Sequence, residues 1–124
     1  LTPRREPAIS DPMQIYKILR AEEWAALTAA GETSGAPVDV ADGYIHFSTA
    51  SQAAETAAKH FAGEDGLVLL AYDTDTLGPA IKWEVSRGGA QFPHLYAPLR
   101  KVDMLWHAPL PLEDGVHIFP ESMI

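Results

Sequence analysis

Two histidines of this chain lie where imidazoles are scarce. His46 sits in Gly43-Tyr-Ile-His-Phe-Ser-Thr49 and His94 in Phe92-Pro-His-Leu-Tyr96, both among side chains that favour burial. An imidazole in such surroundings must find hydrogen-bond partners in the core or line a cavity. In a cavity, these are the groups able to exchange protons near neutral pH, and acid–base work falls to them. Glu84 follows Trp83 directly, so strand alternation sends the two to opposite faces, and a lone strand glutamate reads first as a solvated group. His46, Glu84 and His94 have the donor types of a zinc or non-haem iron set, but no pair has the short spacing of a metal motif, so no metal is assigned. Ser48 and Thr49 adjoin His46. A serine nucleophile needs an orienting acid and an oxyanion hole, neither displayed here, and Thr49-Ala-Ser-Gln52 reads as a helix capping box. His60 falls near a helix end, where a cation suits the macrodipole. His107 and His117 lie among prolines and receive no role.

The familiar nucleotide and hydrolase signatures are absent. The chain has no glycine-rich dinucleotide fingerprint, P-loop, H-E-x-x-H helix or G-x-S-x-G elbow. Nine Lys and Arg against seventeen Asp and Glu give a net charge of −8. Such a surface repels phosphate backbones and makes nucleic acid an unlikely partner. No cysteine is present, which removes disulfides, thiolate metal sites and a cysteine nucleophile. The longest apolar run, Leu67 to Tyr72, is six residues, too short for a bilayer helix, so no membrane contact and a cytoplasmic location are expected.

These residues need a scaffold, and 124 residues with 47% hydrophobic content suffice for one domain with a real core. Residues 1–12, rich in proline and without apolar periodicity, are expected to be a flexible leader to a single domain over 13–124. A first strand fits Gln14 to Leu19. A helix fits Ala21 to Ala30, ended by Gly31. Glu32 to Asp42, with a glycine, a proline and three acids, reads as an irregular loop. A strand over Tyr44 to Ser48 puts Ile45 and Phe47 on one face and Tyr44, His46 and Ser48 on the other. The next helix starts at Thr49, buries Ala53, Ala57 and Phe61, and stops at Gly63. Leu67 to Tyr72 reads as a central strand covered on both faces. Ile81, Trp83 and Val85 alternate with Lys82 and Glu84, which predicts a strand with one wet face. Later strands are expected over Leu95 to Leu99 and Val102 to Trp106, with a last short one around Val116 to Phe119. The fold class is α+β: two helices against a mixed, mainly antiparallel sheet.

The residues Ile15-Tyr-Lys-Ile18, Trp24, Asp39-x-x-Asp-Gly-Tyr-Ile-His-Phe-Ser-Thr49, Gln52, Thr56, Phe61, Trp83-Glu84, Arg87-x-Gly89 and Phe92-Pro-His-Leu-Tyr96 together resemble the bacterial domain-of-unknown-function family 952. More distantly, Tyr44-Ile-His-Phe-Ser48 followed by a helix resembles the strand–helix element of the RNA 2′-phosphotransferases, within the ADP-ribosyltransferase superfamily. That resemblance implies a split, mainly antiparallel sheet around a cleft for NAD. It implies a ligand site on Tyr44, His46 and Ser48, with Tyr16 and Lys17 on the first strand, Lys17 replacing the usual His or Arg. His94 and Tyr96 stand where a late-strand acid is usual, with Glu84 as a substitute. Tyr44, Tyr96 and Trp83 are the rings available to stack nicotinamide, and Lys17, Arg20, Arg87 and Arg100 the cations available to a pyrophosphate.

Three readings follow. The first is an ADP-ribosyltransferase-like transferase or glycohydrolase with His46 and His94 as catalytic groups, NAD as candidate substrate and no required cofactor. It predicts Tyr44, His46, His94 and Tyr96 in one cleft. The second is a non-catalytic module for a nucleotide or another small ligand. The third, a protein-interaction domain, predicts an exposed apolar patch around Trp106, Leu110 and Ile118.

Overall fold

The computed structural model describes residues 13–121 and 123, and for Arg87 the backbone alone. The expected leader over 1–12 lies outside the described residues. Strand β1 (Gln14–Leu19) leads into helix α1 (Ala21–Ala30). Gly31, at φ +82°, closes α1 by donating its N–H to the Leu27 carbonyl. The segment expected as a loop instead holds strand β2 (Glu32–Thr33) and helix α2 (Pro37–Asp42). Pro37 presets the helical φ in the first turn and Gly43, at φ +86°, ends the last. This asymmetry outweighs the loop-like composition.

Strand β3 (Ile45–His46) is followed by helix α3 (Ala50–His60). Thr49 is its N-cap residue, and the Thr49 N–H donates to Gln52 Oε1 at 3.0 Å. Ala53 and Ala57 are buried, Phe61 half-buried. Strand β4 (Leu67–Asp73) and the single turn α4 (Thr74–Leu77) come next, then β5 (Ile81–Val85), β6 (Gln91–Leu95) and β7 (Leu99–Arg100). Strand β8 (Met104–Leu110) precedes the short pair β9 (Leu112–Glu113) and β10 (Val116–His117). The later strands therefore fall on either side of the expected Leu95–Leu99 segment. Pro98 separates β6 from β7, whereas Pro93 sits inside β6, where its carbonyl accepts from the Phe47 N–H just past the end of β3. A proline is tolerated there because little ladder remains for its missing N–H to join.

Two three-stranded sheets form the frame, in the orders β1-β4-β8 and β3-β6-β5, with every pairing antiparallel. A bridge between Tyr16 and Ser48 joins them, with reciprocal N–H···O contacts of 2.8 and 2.9 Å. The frame is thus one sheet that splits where β1 and β3 diverge. One face packs Ile15, Leu19, Leu27, Ile45, Phe47, Leu70 and Tyr72. The other packs Tyr16, Ile18, Ala57, Leu69 and Leu110. Leu69 and Leu70 are both fully buried on opposite faces, as expected of a central strand covered on both sides.

Strand β5 reverses its expected sidedness. Trp83 and Val85 are exposed, at 38% and 66%, while Glu84 on the other face is half-buried. The edge position of β5 leaves its apolar face uncovered, and Glu84 turns toward β6. The apolar patch expected around Trp106, Leu110 and Ile118 does not form either. Leu110 is buried and Trp106 packs on Tyr16 at 5.9 Å, leaving Ile118 exposed. His117, assigned no role, is buried and contacts the Glu64 carbonyl at 2.7 Å. His107 packs on Trp24. Among the described residues no helix is long and apolar enough to cross a membrane.

Candidate functional site

Register builds this site. His46 on β3 pairs directly with His94 on β6, so both side chains leave the sheet on the same face, with ring centroids 5.4 Å apart. Two residues earlier on the same chain segment, Tyr44 stacks on His94 at 4.1 Å and lies 4.7 Å from His46. Two residues after His94, Tyr96 reaches to 5.2 Å from Tyr44. The paired strands, with Tyr44 just before β3 and Tyr96 just after β6, thus gather four rings from two motifs.

Each imidazole is held by a carboxylate through Nδ1. His94, 2% exposed, donates to Glu84 Oε1 at 2.7 Å, and the Tyr96 hydroxyl donates to the same oxygen at 2.7 Å. Hydrogen bonds from His94 and then Tyr96 hold the Glu84 carboxyl below its ordinary range. The bond to Glu84 pushes the Tyr96 phenol up to about 12, so it stays a neutral donor at physiological pH. His94 Nε2 has no partner among the described residues.

His46 Nδ1 donates to Asp39 Oδ1 at 2.6 Å, and its backbone N–H donates to the same oxygen at 3.0 Å. Its Nε2 faces Asp42 Oδ2 at 3.0 Å. A neutral imidazole carries one N–H, so both contacts are hydrogen bonds only when the ring is doubly protonated. The second oxygen of Asp39 accepts from the Ala36 N–H at 2.7 Å and from Lys17 Nζ at 2.8 Å. Burial alone would raise the Asp39 carboxyl, but the His46 hydrogen bond and the Lys17 charge outweigh it and bring Asp39 to about 2. For Lys17, 6% exposed, burial of the ammonium outweighs the attraction of Asp39, and its pKa falls.

A cavity of about 510 Å³ opens along the split between the sheets. Its walls include Tyr16, Lys17, His46, Ser48, Thr56 and His94, with Phe47, Phe61 and Phe92 as apolar surfaces. Ser48, buried, is hydrogen-bonded to Thr56 at 2.8 Å between hydroxyl oxygens. Arg20 reaches the same cavity with its guanidinium engaged by Glu64 at 2.8 and 3.0 Å.

Of the expected site residues, Tyr16, Lys17, His46, Ser48 and His94 meet at this cavity. Tyr44, Tyr96 and Glu84 pack against or bind the imidazoles without being part of its lining. Trp83 stands apart: it pairs with Pro93, so its ring leaves the reverse side of the sheet from His94. It is therefore not among the rings available at the imidazoles. The side chain of Arg87 lies outside the described residues. Arg100 is on β7, away from the cavity lining. Among the described residues no group of three His, Asp or Glu is arranged to hold a metal ion.

Sequence reasoning gave no task to Asp39 or Asp42, because both lay in the presumed loop. The available signal was Pro37 and Gly43 bracketing a short helix, with an acid at its third position. A second signal was Lys17 itself, since an ammonium on an otherwise buried strand calls for a carboxylate.

The family model described as "Protein of unknown function (DUF952)" matches residues 18–107. No curated protein matches this chain. The crystal structure of protein CC0527 from Caulobacter crescentus is 53% identical, with a TM-score of 0.81, over 85% of this chain and 93% of that one. The solution NMR structure of CC0527 is 54% identical, with a TM-score of 0.75, over 83% and 90% of the two chains. With a match over most of its length and relatives this similar, the chain belongs to the DUF952 family.

Proposed function

We propose that the cavity takes a small nucleotide of the NAD class and that this chain acts on it as an ADP-ribosyltransferase-like transferase or glycohydrolase. One observation carries the reading: two imidazoles, each oriented by a carboxylate, border the same cavity as a buried ammonium. The volume is in the range of small-molecule sites, and its aromatic walls suit a base or a nicotinamide ring. The split between β1 and β3 agrees with the cleft that the resemblance to ADP-ribosyltransferases implies. Lys17 supplies positive charge to a pyrophosphate within an acidic protein, as a point charge rather than a bidentate fork.

The chemistry is a substitution at the ribose. The bond from ribose carbon to nicotinamide nitrogen breaks with its electron pair going to nicotinamide, and oxocarbenium character develops on the ribose. An acceptor hydroxyl, or water in a glycohydrolase, forms the new carbon–oxygen bond and gives its proton to His94 Nε2. Glu84 on Nδ1 stabilises the imidazolium that results.

The test is calorimetric titration with NAD and ADP-ribose, paired with chromatographic detection of nicotinamide. Binding heat with slow nicotinamide release that is lost in His94→Ala supports the reading. No heat and an unchanged melting temperature overturn it. A second reading, a binding module without turnover, is favoured by the engagement of Lys17 with Asp39 and of Glu84 with His94 and Tyr96, which leaves no late-strand acid among the described residues that line the cavity. Binding without nicotinamide release over long incubation establishes that reading.

A further inference from the structure

We infer that Asp39 is a positioning residue that holds Lys17 charged and His46 in one orientation, so that a single carboxylate organises two walls of the cavity. It stands on geometry from three elements. Asp39 comes from α2, Lys17 from β1 and His46 from β3, and the carboxylate divides its oxygens between them: Oδ2 to Lys17 at 2.8 Å, Oδ1 to His46 Nδ1 at 2.6 Å. Both the Asp39 side chain and the ammonium are buried.

The surroundings of Asp39 are shaped for it. Gly35, at φ +100°, passes so close that a Cβ there would lie 2.6 Å from Asp39 Cβ and 2.8 Å from its Cγ. Real Cβ atoms do not approach so closely, so glycine leaves the room that the carboxylate occupies. Without the negative charge, an ammonium this buried loses the attraction opposing its desolvation and releases its proton more readily. The other charges near Lys17 are Glu23, which favours its protonated form, and Arg20, which opposes it. His46 also faces Asp42, Tyr44 and His94. Asp39 caps α2 as well, through the Ala36 N–H, so a purely structural role is the alternative to exclude.

Asp39→Asn keeps the volume and an acceptor for that cap but removes the charge. Two measurements on the full chain separate the roles. In the ligand-free protein, NMR titration of the Lys17 ammonium is expected to move to lower pH in Asp39→Asn, with the His46 Nδ1 proton signal lost or shifted. An unchanged Lys17 titration and an unchanged His46 signal in a folded Asp39→Asn protein overturn the inference, whether or not any nucleotide binds. The second measurement rests on the functional reading above and uses ADP-ribose. The affinity ratio of wild type to Asp39→Asn is expected to grow about tenfold with rising pH across the range in which the NMR titration shows the unpaired lysine deprotonating. A ratio that stays constant with pH marks a structural cap and overturns the inference. If Asp39→Asn does not fold, Lys17→Met with Asp39→Asn removes the unpaired charge. In that refolded double variant, a His46 Nδ1 signal like that of wild type overturns the inference and a displaced one supports it.

Discussion

His46 and His94 are ladder partners on adjacent antiparallel strands, 48 positions apart in the chain yet 5.4 Å apart at their ring centroids. Each is tied at Nδ1 to a carboxylate from another element, His46 to Asp39 and His94 to Glu84. The pairing matters because a one-residue slip between β3 and β6 would send one of the rings to the opposite face. The Tyr16–Ser48 bridge and the Phe47 N–H bond to Pro93 hold that register at the end of β3.

Glu84 orients His94 and, on the proposed transferase reading, is expected to affect turnover more than binding. Glu84→Gln is expected to slow nicotinamide release about 10- to 100-fold while changing ADP-ribose affinity less than about threefold. Tyr96→Phe removes one donor to the same oxygen and is expected to have the smaller effect. Steady-state rates with parallel calorimetry check this, and equal losses of rate and affinity in Glu84→Gln would refute the division.

Acid should destabilise the fold partly through Asp39. Its carboxyl falls from 3.8 to about 2 in the folded state, so its stabilising effect is complete above the unfolded value and disappears as pH drops toward 2. The difference corresponds to about 2 kcal/mol. Lys17, whose pKa is lowered by burial, also favours the fold as pH rises, but it does so in the alkaline range, so it does not contribute to the acid limb. Urea unfolding from about pH 5 to about pH 2 should show a shallower loss in Asp39→Asn than in wild type. Parallel curves would remove Asp39 as the cause.

Gly35 and Gly63 form a matched pair for measuring the space around Asp39. Both have positive φ, +100° and +74°, but only at Gly35 would an added Cβ meet Asp39, whereas Gly63 has open space. Gly63→Ala should cost about 1 kcal/mol for the left-handed backbone. Gly35→Ala should cost at least about 1 kcal/mol more, because Asp39 must shift and its partners with it. Chemical denaturation of both variants decides this, and equal costs would show that Asp39 moves freely.

Periodicity and capping signals are local, and they fixed β1, α1, α3 and the central strand β4 from the residues alone. The separation of Trp83 from Glu84 followed likewise from alternation, whereas the strand expected over Tyr44 to Ser48 shrinks to Ile45–His46, with Tyr44 before it and Ser48 in an isolated bridge to Tyr16. Alternation could not say which face of β5 would be covered, because that depends on its place at the edge beside β6. Nor could it pair His46 with His94, a relation set by register between strands distant in the chain. Helix α2 was hidden by acids and glycines that resemble a loop when its tertiary partners are unknown. Asp39 acquired its place only when β1 and β3 brought Lys17 and His46 to it, since long-range convergence leaves no periodic trace in a single sequence.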